Sequence, residues 1–458
     1  MRKCDVLYIH STKNPTGEDR TKYGIVPVGI IAILNKLRSK NIEVVGVNLA
    51  IEYELDPQFD LAALLQETEY RILMTDLHWY EHSYGAMYVV EQSKKVRPEV
   101  PTVIGGYTTT LYAAEIMKNF PAVDYAVTGD SDLPMERLTD LLLERSDMPV
   151  SEIPNVYFRR GTEVVAPAKT WVQTTLDEQD FVSADFFDHA DRLPYLSAFG
   201  ANRKVAERWI GVARGCKFNC AYCCGAKDNM KALFRRCNIL TRSPEKLADD
   251  FYRLAQQGIQ VAPTHDFQMF GKKYYREVFA QIRKTGVKPV MYLECFQLPT
   301  RDFIDEVAST FDKKRTILEI SPISGNEEIR RENGKRFSND DLYECIHYIR
   351  SKGMKVQLYY TVNVVGETEA QFMDTIFQMK YLRMSFDLRD IFYQRVVIDP
   401  LAGMRKWKGV NAEYNTFMDY YNYCQVLHTG RFTATGFHDN GEVSAEKKVQ
   451  MYDALMKR

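Results

Sequence analysis

ARGCKFNCAYCCGAK, residues 213–227, carries Cys216, Cys220 and Cys223 in a C-x-x-x-C-x-x-C spacing, with Tyr222 directly before the third cysteine. Three thiolates this close can hold three irons of a [4Fe–4S] cube and leave the fourth iron without a protein ligand. An iron in that state can bind a small molecule and pass it an electron. A zinc knuckle needs four ligands in a tetrahedral arrangement. Here the nearest fourth candidate is Cys224, adjacent to Cys223 and strained as a co-ligand. Ferredoxin runs supply four cysteines to the cluster, unlike this one. Nine cysteines, an odd number, with no secretory signal in front of them, point to reduced thiols in a cytosol and not to disulfides.

The spacing and the tyrosine resemble the radical S-adenosylmethionine (SAM) family. The resemblance implies that Cys216, Cys220 and Cys223 ligate the cluster, and that the open iron chelates the amino and carboxyl groups of SAM. It also implies reductive cleavage of SAM to a 5′-deoxyadenosyl radical, which can take hydrogen from an inert carbon. The protein then positions and excludes water, because the cofactor carries the hard chemistry.

Charge sets bounds on partners. Sixty basic and 61 acidic residues leave a net charge of −1, which gives no electrostatic footprint for nucleic acid or an anionic membrane. No apolar run is long enough to span a bilayer. The opening MRKCDVLYIHSTKN turns polar after a few apolar residues and predicts a first β-strand, not a signal peptide. The expected location is cytoplasmic.

Along residues 1–145, apolar strand runs alternate with helical spacing. Strands are predicted at 5–9, 42–49, 70–77, 100–106 and 123–130, and helices at 27–40, 84–96, 111–120 and 133–144. Alternation of this kind predicts a parallel sheet covered on both faces, with ligands beyond the carboxyl ends of the strands. Turn residues stand at three of those ends: Thr75-Asp76-Leu77, Gly105-Gly106 and Gly129-Asp130. Their spacing resembles the cobalamin-binding domain of the methionine synthase and mutase families. The resemblance implies that Thr75, Leu77, Gly105, Gly106, Gly129 and Asp130 cradle cobalamin. The D-x-H-x-x-G motif that supplies cobalt with a histidine in those families is missing. His10 ends the first strand outside any such motif, and Asp76-Leu77-His78 has Glu81 where the glycine belongs. Cobalamin bound here is expected to lack a histidine below the cobalt.

Residues 146–205 carry scattered prolines and a predicted hairpin at 155–167, and are expected to be a linker. Across 206–400, strands at 208–214, 259–267, 288–296, 315–323, 355–365 and 390–400 alternate with helices such as 244–258 and 339–353. Six such units after a cysteine loop resemble the partial (β/α)6 barrel of radical SAM enzymes, whose function collects at the carboxyl ends of the strands. Asp266, Glu294, Ser321 and Gly366-Glu367 fall there. The resemblance implies that Tyr222, Glu294, Ser321 and Gly366 contact SAM, with Glu294 near its ribose. Thr368 and Gln371 form a capping-box pattern for the next helix. Residues 401–458, rich in aromatics, are expected to be a capping region. Cys424 and His428 alone are a weak metal signal, and buried packing explains the cysteine as well.

The expected fold class is therefore α/β: an N-terminal Rossmann-like cobalamin-binding domain, a partial radical SAM barrel and a small C-terminal capping region. The whole order resembles the cobalamin-dependent radical SAM enzymes. That resemblance implies three cofactors: a [4Fe–4S] cluster, SAM and cobalamin. It implies methylation of an unactivated carbon, or of phosphorus, in a small molecule of natural-product or cofactor biosynthesis, with flavodoxin or ferredoxin as reductant. Cobalamin-assisted rearrangement or cyclisation without methyl transfer remains open. So does a radical SAM enzyme whose cobalamin-like domain is empty, and so does a cobalamin- or cluster-binding sensor. Alanine at Cys216, Cys220 or Cys223 is expected to abolish cluster iron, counted per chain after anaerobic reconstitution, whereas Cys224→Ala retains it. Cluster lost from Cys224→Ala and kept in Cys216→Ala would contradict the assignment.

Overall fold

The structure is a computed structural model that describes residues 2–17, 20–196, 204–361, 364, 366–394, 399–407, 414–426 and 444–456. The chain forms two compact units. The first comprises Met1–Ala206 with Ala232–Arg236 and Thr416–Thr429, and the second Glu207–Lys231, Cys237–Asn415 and Gly430–Arg458.

The first unit is built on one sheet. Its strands are β1 (Arg2–His10), β2 (Val44–Asn48), β3 (Thr68–Asp76), β4 (Thr102–Gly105), β5 (Tyr125–Val127), β6 (Val156–Arg160) and β7 (Glu163–Val165). They lie in the order β2-β1-β3-β4-β5-β6-β7. Pairings from β2 through β5 are parallel, and the β6–β7 hairpin is antiparallel. Val6, Leu7, Tyr8 and Ile9 are all buried, because a central parallel strand is covered on both faces. The helices are α1 (Val28–Arg38), α2 (Leu49–Leu55), α3 (Leu61–Glu67), α4 (Ser83–Val96), α5 (Tyr107–Asn119) and α6 (Asp132–Leu142). On one face Ile31, Leu34, Leu37 and Leu138 pack on Val6, Ile72 and Val103, and on the other Leu61, Leu65 and Val89 pack on Leu7 and Leu73. The short α2 and α3 were not expected from the sequence.

The segment expected as a linker is part of this unit's core. Its hairpin pairs with β5, and Phe186 and Phe187 join the α1 face. Gly46 N–H donates to the Phe186 carbonyl at 2.9 Å, and Asp188 N–H to the Gly46 carbonyl at 2.8 Å. Burying each ring contributes about 1.5–3 kcal/mol, which is why a proline-scattered stretch is fixed to the sheet.

In the second unit the strands are β8 (Glu207–Ile210), β9 (Ala213–Arg214), β10 (Leu240–Thr241), β11 (Gln260–Pro263), β12 (Tyr292–Cys295), β13 (Ile317–Ile323), β14 (Lys355–Thr361) and β15 (Asp390–Gln394). β8 pairs in parallel with β11, and β12-β13-β14-β15 form a parallel sheet. A parallel bridge from Val261 to Met291 links the two sets. Between them come α7 (Lys227–Phe234), α8 (Pro244–Gln256), α9 (Lys272–Lys284), α10 (Arg301–Thr310), α11 (Glu327–Glu332), α12 (Asn339–Ser351) and α13 (Glu369–Ser385). This is the expected strand–helix series, with one correction. The strand expected over 208–214 breaks in two, because Val212 leaves the ladder to pair with the Thr264 hydroxyl and with Arg242 N–H. The Thr368/Gln371 capping box is present at the start of α13.

The C-terminal stretch divides. α14 (Phe417–Gln425) packs in the first unit, where fully buried Phe417 joins Leu77, Ala113 and Ile116. α15 (Ala445–Met456) packs in the second, where Lys448 Nζ meets Glu367 Oε2 at 2.9 Å with both side chains fully buried. No described helix is long and apolar enough to cross a membrane.

Candidate functional site

The cysteine loop leaves β9 through Gly215, whose φ of +95° is a left-handed conformation that glycine tolerates and other residues resist. The loop then folds on itself. Phe218 N–H points at Cys216 Sγ at 3.4 Å, Cys223 N–H donates to the Cys220 carbonyl at 3.2 Å, and Lys227 N–H to the Phe218 carbonyl at 2.9 Å. Asn219 and Asp228 exchange two hydrogen bonds, of 3.0 and 3.1 Å, that pin the loop to α7. Residues 399–404 lie along its far side. Cys224 N–H donates to Asp399 Oδ2 at 3.0 Å, Met404 N–H to the Ala221 carbonyl at 2.9 Å, and Ala402 and Met404 pack on Tyr222.

All three loop cysteines are free thiols and half-buried, whereas Cys224 is buried. Burial pushes the Cys223 thiol up to about 12 and raises Cys216 as well, so metal binding must displace their protons. Four tetrahedral zinc–sulfur bonds of about 2.3 Å would put sulfurs roughly 3.8 Å apart. Among the described residues, Cys216, Cys220 and Cys223 do not form a group of ligand atoms within 4.8 Å of one another. At least one pair of these sulfurs is therefore more than 4.8 Å apart.

Around the loop stand polar groups that the sequence alone did not single out. Burial pushes the His265 ring down to about 4, against a hydrogen bond to the Gly215 backbone. Lys335 is buried and donates to the Phe296 carbonyl at 2.6 Å. Burial lowers its ammonium, while Cys220, Asp266, Cys295 and Glu294 act to raise it, so this cation lies within electrostatic reach of both the loop and Glu294. Glu294 on β12 stands in register with Glu319 on β13, which stands in register with Gln357 on β14. Tyr292 donates its hydroxyl to Glu319 Oε2 at 2.6 Å, and Gln357 donates to the same oxygen. Ser321 lies two residues beyond Glu319, inside the irregular stretch between Ile320 and Ile323 where the β13–β14 register shifts. Polar residues at every second position of buried strands were the available signal for Glu319 and Gln357.

Other expected residues have internal duties. Asp266 accepts from Gln268 N–H at 2.9 Å and Phe296 N–H at 3.1 Å, tying two strand ends together. Gly366 is an exposed turn with φ +82°. In the first unit Thr75 donates its hydroxyl to the Ile9 carbonyl at 2.8 Å. Leu77 is fully buried and its N–H meets the Gly105 carbonyl at 2.7 Å. A Cβ on Gly106 (φ +121°) would lie 2.6 Å from the Leu77 carbonyl oxygen, so the close backbone approach there is the chain's own. Gly129 N–H donates to the Thr110 hydroxyl at 3.0 Å. Asp130 forms a buried ion pair with Arg236 and accepts from Gln173 N–H at 2.8 Å. Cys424 points its thiol at the Tyr80 carbonyl, 3.4 Å away, and His428 lies outside the described residues.

The carboxyl edge of this sheet nonetheless suits a polar ligand. Ser11 Oγ, Thr12 Oγ1 and Thr109 Oγ1, in the segments that follow β1 and β4, are buried without a hydrogen-bond partner. Groups of this kind are costly unless something meets them.

Comparison with known proteins agrees with this two-part arrangement. The B12 binding domain model matches residues 19–139, and the radical SAM superfamily model matches residues 210–379. The chain belongs to the radical SAM enzymes that carry a B12-binding domain. The cofactors that go with this domain pair are a [4Fe–4S] cluster, SAM and cobalamin. Among curated relatives of this radical SAM enzyme, the ribosomal protein uS12 methylthiotransferase RimO of Clostridium botulinum is 24% identical over 177 residues, 36% of the chain and 38% of RimO. The match therefore spans well under half of that relative. Two solved structures share the fold. The radical SAM methyltransferase TsrM from Kitasatospora setae, solved with cobalamin and a [4Fe–4S] cluster, superposes with a TM-score of 0.66 at 14% identity, covering 90% of this chain and 80% of TsrM. The cobalamin-dependent SAM radical enzyme OxsB, solved with aqua-cobalamin and SAM, gives 0.56 at 10% identity, covering 99% of this chain and 61% of OxsB.

Proposed function

We propose that this enzyme transfers a methyl group from SAM to an unactivated carbon, or to phosphorus, of a small molecule in natural-product or cofactor biosynthesis. The observation that carries the reading is the presence of a B12-binding domain and a radical SAM domain in one chain. The likeness in fold to the methyltransferase TsrM supports it. When bound, the cofactors supply one-electron cleavage of a carbon–sulfur bond and a methyl group that a substrate radical can take.

The chain's own residues hold and shield. In this reading Cys216, Cys220 and Cys223 ligate the cluster, and Cys224 stays with Asp399. Tyr222, Glu294, Ser321 and Gly366 face SAM, and Lys335 holds its carboxylate. Glu319, Tyr292 and Gln357 orient the substrate on the inner face of the sheet. At the edge of the first sheet, Thr75, Leu77, Gly105, Gly106, Gly129 and Asp130 shape the cobalamin seat through their backbone, since several of their side chains are committed internally. The electron comes from a reductant such as flavodoxin or ferredoxin.

Incubation with methyl-labelled SAM tests the reaction. Methyl transfer predicts label in the product together with S-adenosylhomocysteine and 5′-deoxyadenosine. 5′-Deoxyadenosine alone with an unlabelled product would instead favour rearrangement or cyclisation. A second experiment addresses Lys335. Lys335→Met is expected to raise KM for SAM roughly tenfold or more, the worth of a hydrogen bond to a charged group, with cluster iron unchanged and partial rescue by Lys335→Arg. An unaltered KM would remove Lys335 from the SAM site.

A further inference from the structure

We propose that His10, Asp76 and His82 bind one divalent transition-metal ion, zinc or ferrous iron, in the N-terminal unit and independently of the cysteine loop. His10 is the last residue of β1 and Asp76 the last of β3. The two strands are parallel neighbours with Ile9 in register with Thr75, so their terminal side chains arrive together. The chain leaves β1 toward β2 on one side and β3 toward β4 on the other. Their shared end is thus the switch point at which sheets of this order bind ligands. His82, at the entry to α4, completes the group. One ligand atom from each of the three lies within 4.8 Å of the other two, and all three side chains are fully buried.

Hydrogen bonding fixes how the rings face. His10 Nε2 lies 3.2 Å and His82 Nε2 2.9 Å from the same acceptor, the Tyr23 carbonyl oxygen. A carbonyl only accepts, so each ring presents N–H at Nε2. In the neutral imidazole each Nδ1 then carries a lone pair. His10 Nδ1 is 2.7 Å from Asp76 Oδ1, which also accepts the Tyr8 hydroxyl at 2.6 Å. Two lone pairs at that distance repel unless a proton or a cation lies with them. A proton on His10 Nδ1 would satisfy that contact alone. It would leave His82 Nδ1 and Asp76 Oδ2, both buried, still without a hydrogen-bond partner. A dication held within this group would take one nitrogen from each ring and one carboxylate oxygen.

The surroundings match what metal sites build around their ligands. Ligating histidines usually donate their second N–H to a backbone carbonyl or a carboxylate, and ligating carboxylates are themselves hydrogen-bonded. The Tyr23 carbonyl and the Tyr8 hydroxyl take those roles here. Two imidazoles and one carboxylate suit zinc or ferrous iron and leave coordination positions open. Metal bonds of about 2.0–2.1 Å set tetrahedral ligand atoms roughly 3.3 Å apart, so the His10–Asp76 contact of 2.7 Å would widen by about 0.6 Å on binding.

The test uses the full-length chain carrying Cys216→Ala, Cys220→Ala and Cys223→Ala, which removes loop-bound iron, without cobalamin. Titration with Co2+ is expected to give one ion per chain with the visible bands of nitrogen–oxygen coordination, displaced by Zn2+. His82→Ala should weaken binding by at least about 100-fold. This variant decides the matter, because His82 Nδ1 bonds nothing and its loss leaves the His10–Asp76–Tyr8 bonds in place; circular dichroism verifies its fold. Zn2+ should also raise Tm of the background protein and not of the His82→Ala variant. No stoichiometric binding, or binding unaltered by His82→Ala, overturns the site. So does nitrogen hyperfine splitting in the cob(II)alamin spectrum of wild-type protein that disappears in His82→Ala, which would put His82 on cobalt instead.

Discussion

In the proposed reading one coordination position on one iron must stay free of protein, and the contacts around the cysteine loop bear on that requirement. Three cysteines within eight residues can ligate three irons, while the fourth nearby thiol, Cys224, would block the open one if it swung inward. Cys224 itself is buried, and its backbone N–H is held by Asp399. His265 and Gly215 fix the loop's entry, and Met404 binds its middle through Ala221. These contacts come from the segments after β9, β11 and β15. That is the benefit of building such a loop on a parallel sheet, where several carboxyl ends converge on one edge.

The same logic governs the first unit. Its order of β2-β1-β3-β4-β5 places the β1 and β3 ends at a switch point. The polar atoms that lack partners gather in the segments after these strands and after β4. The glycines there serve the chain before any ligand. Gly106 lets α5 begin against the Leu77 backbone, and the Asp130–Arg236 pair ties the end of β5 to a short segment from beyond the cysteine loop. A seat for cobalamin on this edge would consist of backbone shape and orphaned hydroxyls more than of dedicated side chains.

The parts legible in the sequence share one property: their signal is contiguous. Buried parallel strands appear as apolar runs, so β1, β3 and β13 stand within a few residues of their expected bounds. The cysteine motif needs only its own spacing. What sequence missed depends on register. His10, Asp76 and His82 come from three segments that only the β1–β3 pairing brings together. Glu319 matters because it faces Glu294 and Gln357 across two strand pairs. The linker over 146–205 was misjudged because prolines hide a segment whose stability comes from Phe186 and Phe187 packing on α1 and β2. Asp399 entered the cysteine loop from 175 residues away, a distance at which no local pattern can speak.

The central claim is that one chain holds two cofactors of different chemistry. Anaerobic reconstitution with iron, sulfide and hydroxocobalamin, followed by desalting and joint iron and cobalamin counts per chain, tests it most directly. The account predicts about four irons and one retained cobalamin in the same molecules, with cluster iron lost and cobalamin kept when the three loop cysteines are replaced. Four irons with no cobalamin retained, or cobalamin lost together with the cluster, would contradict it.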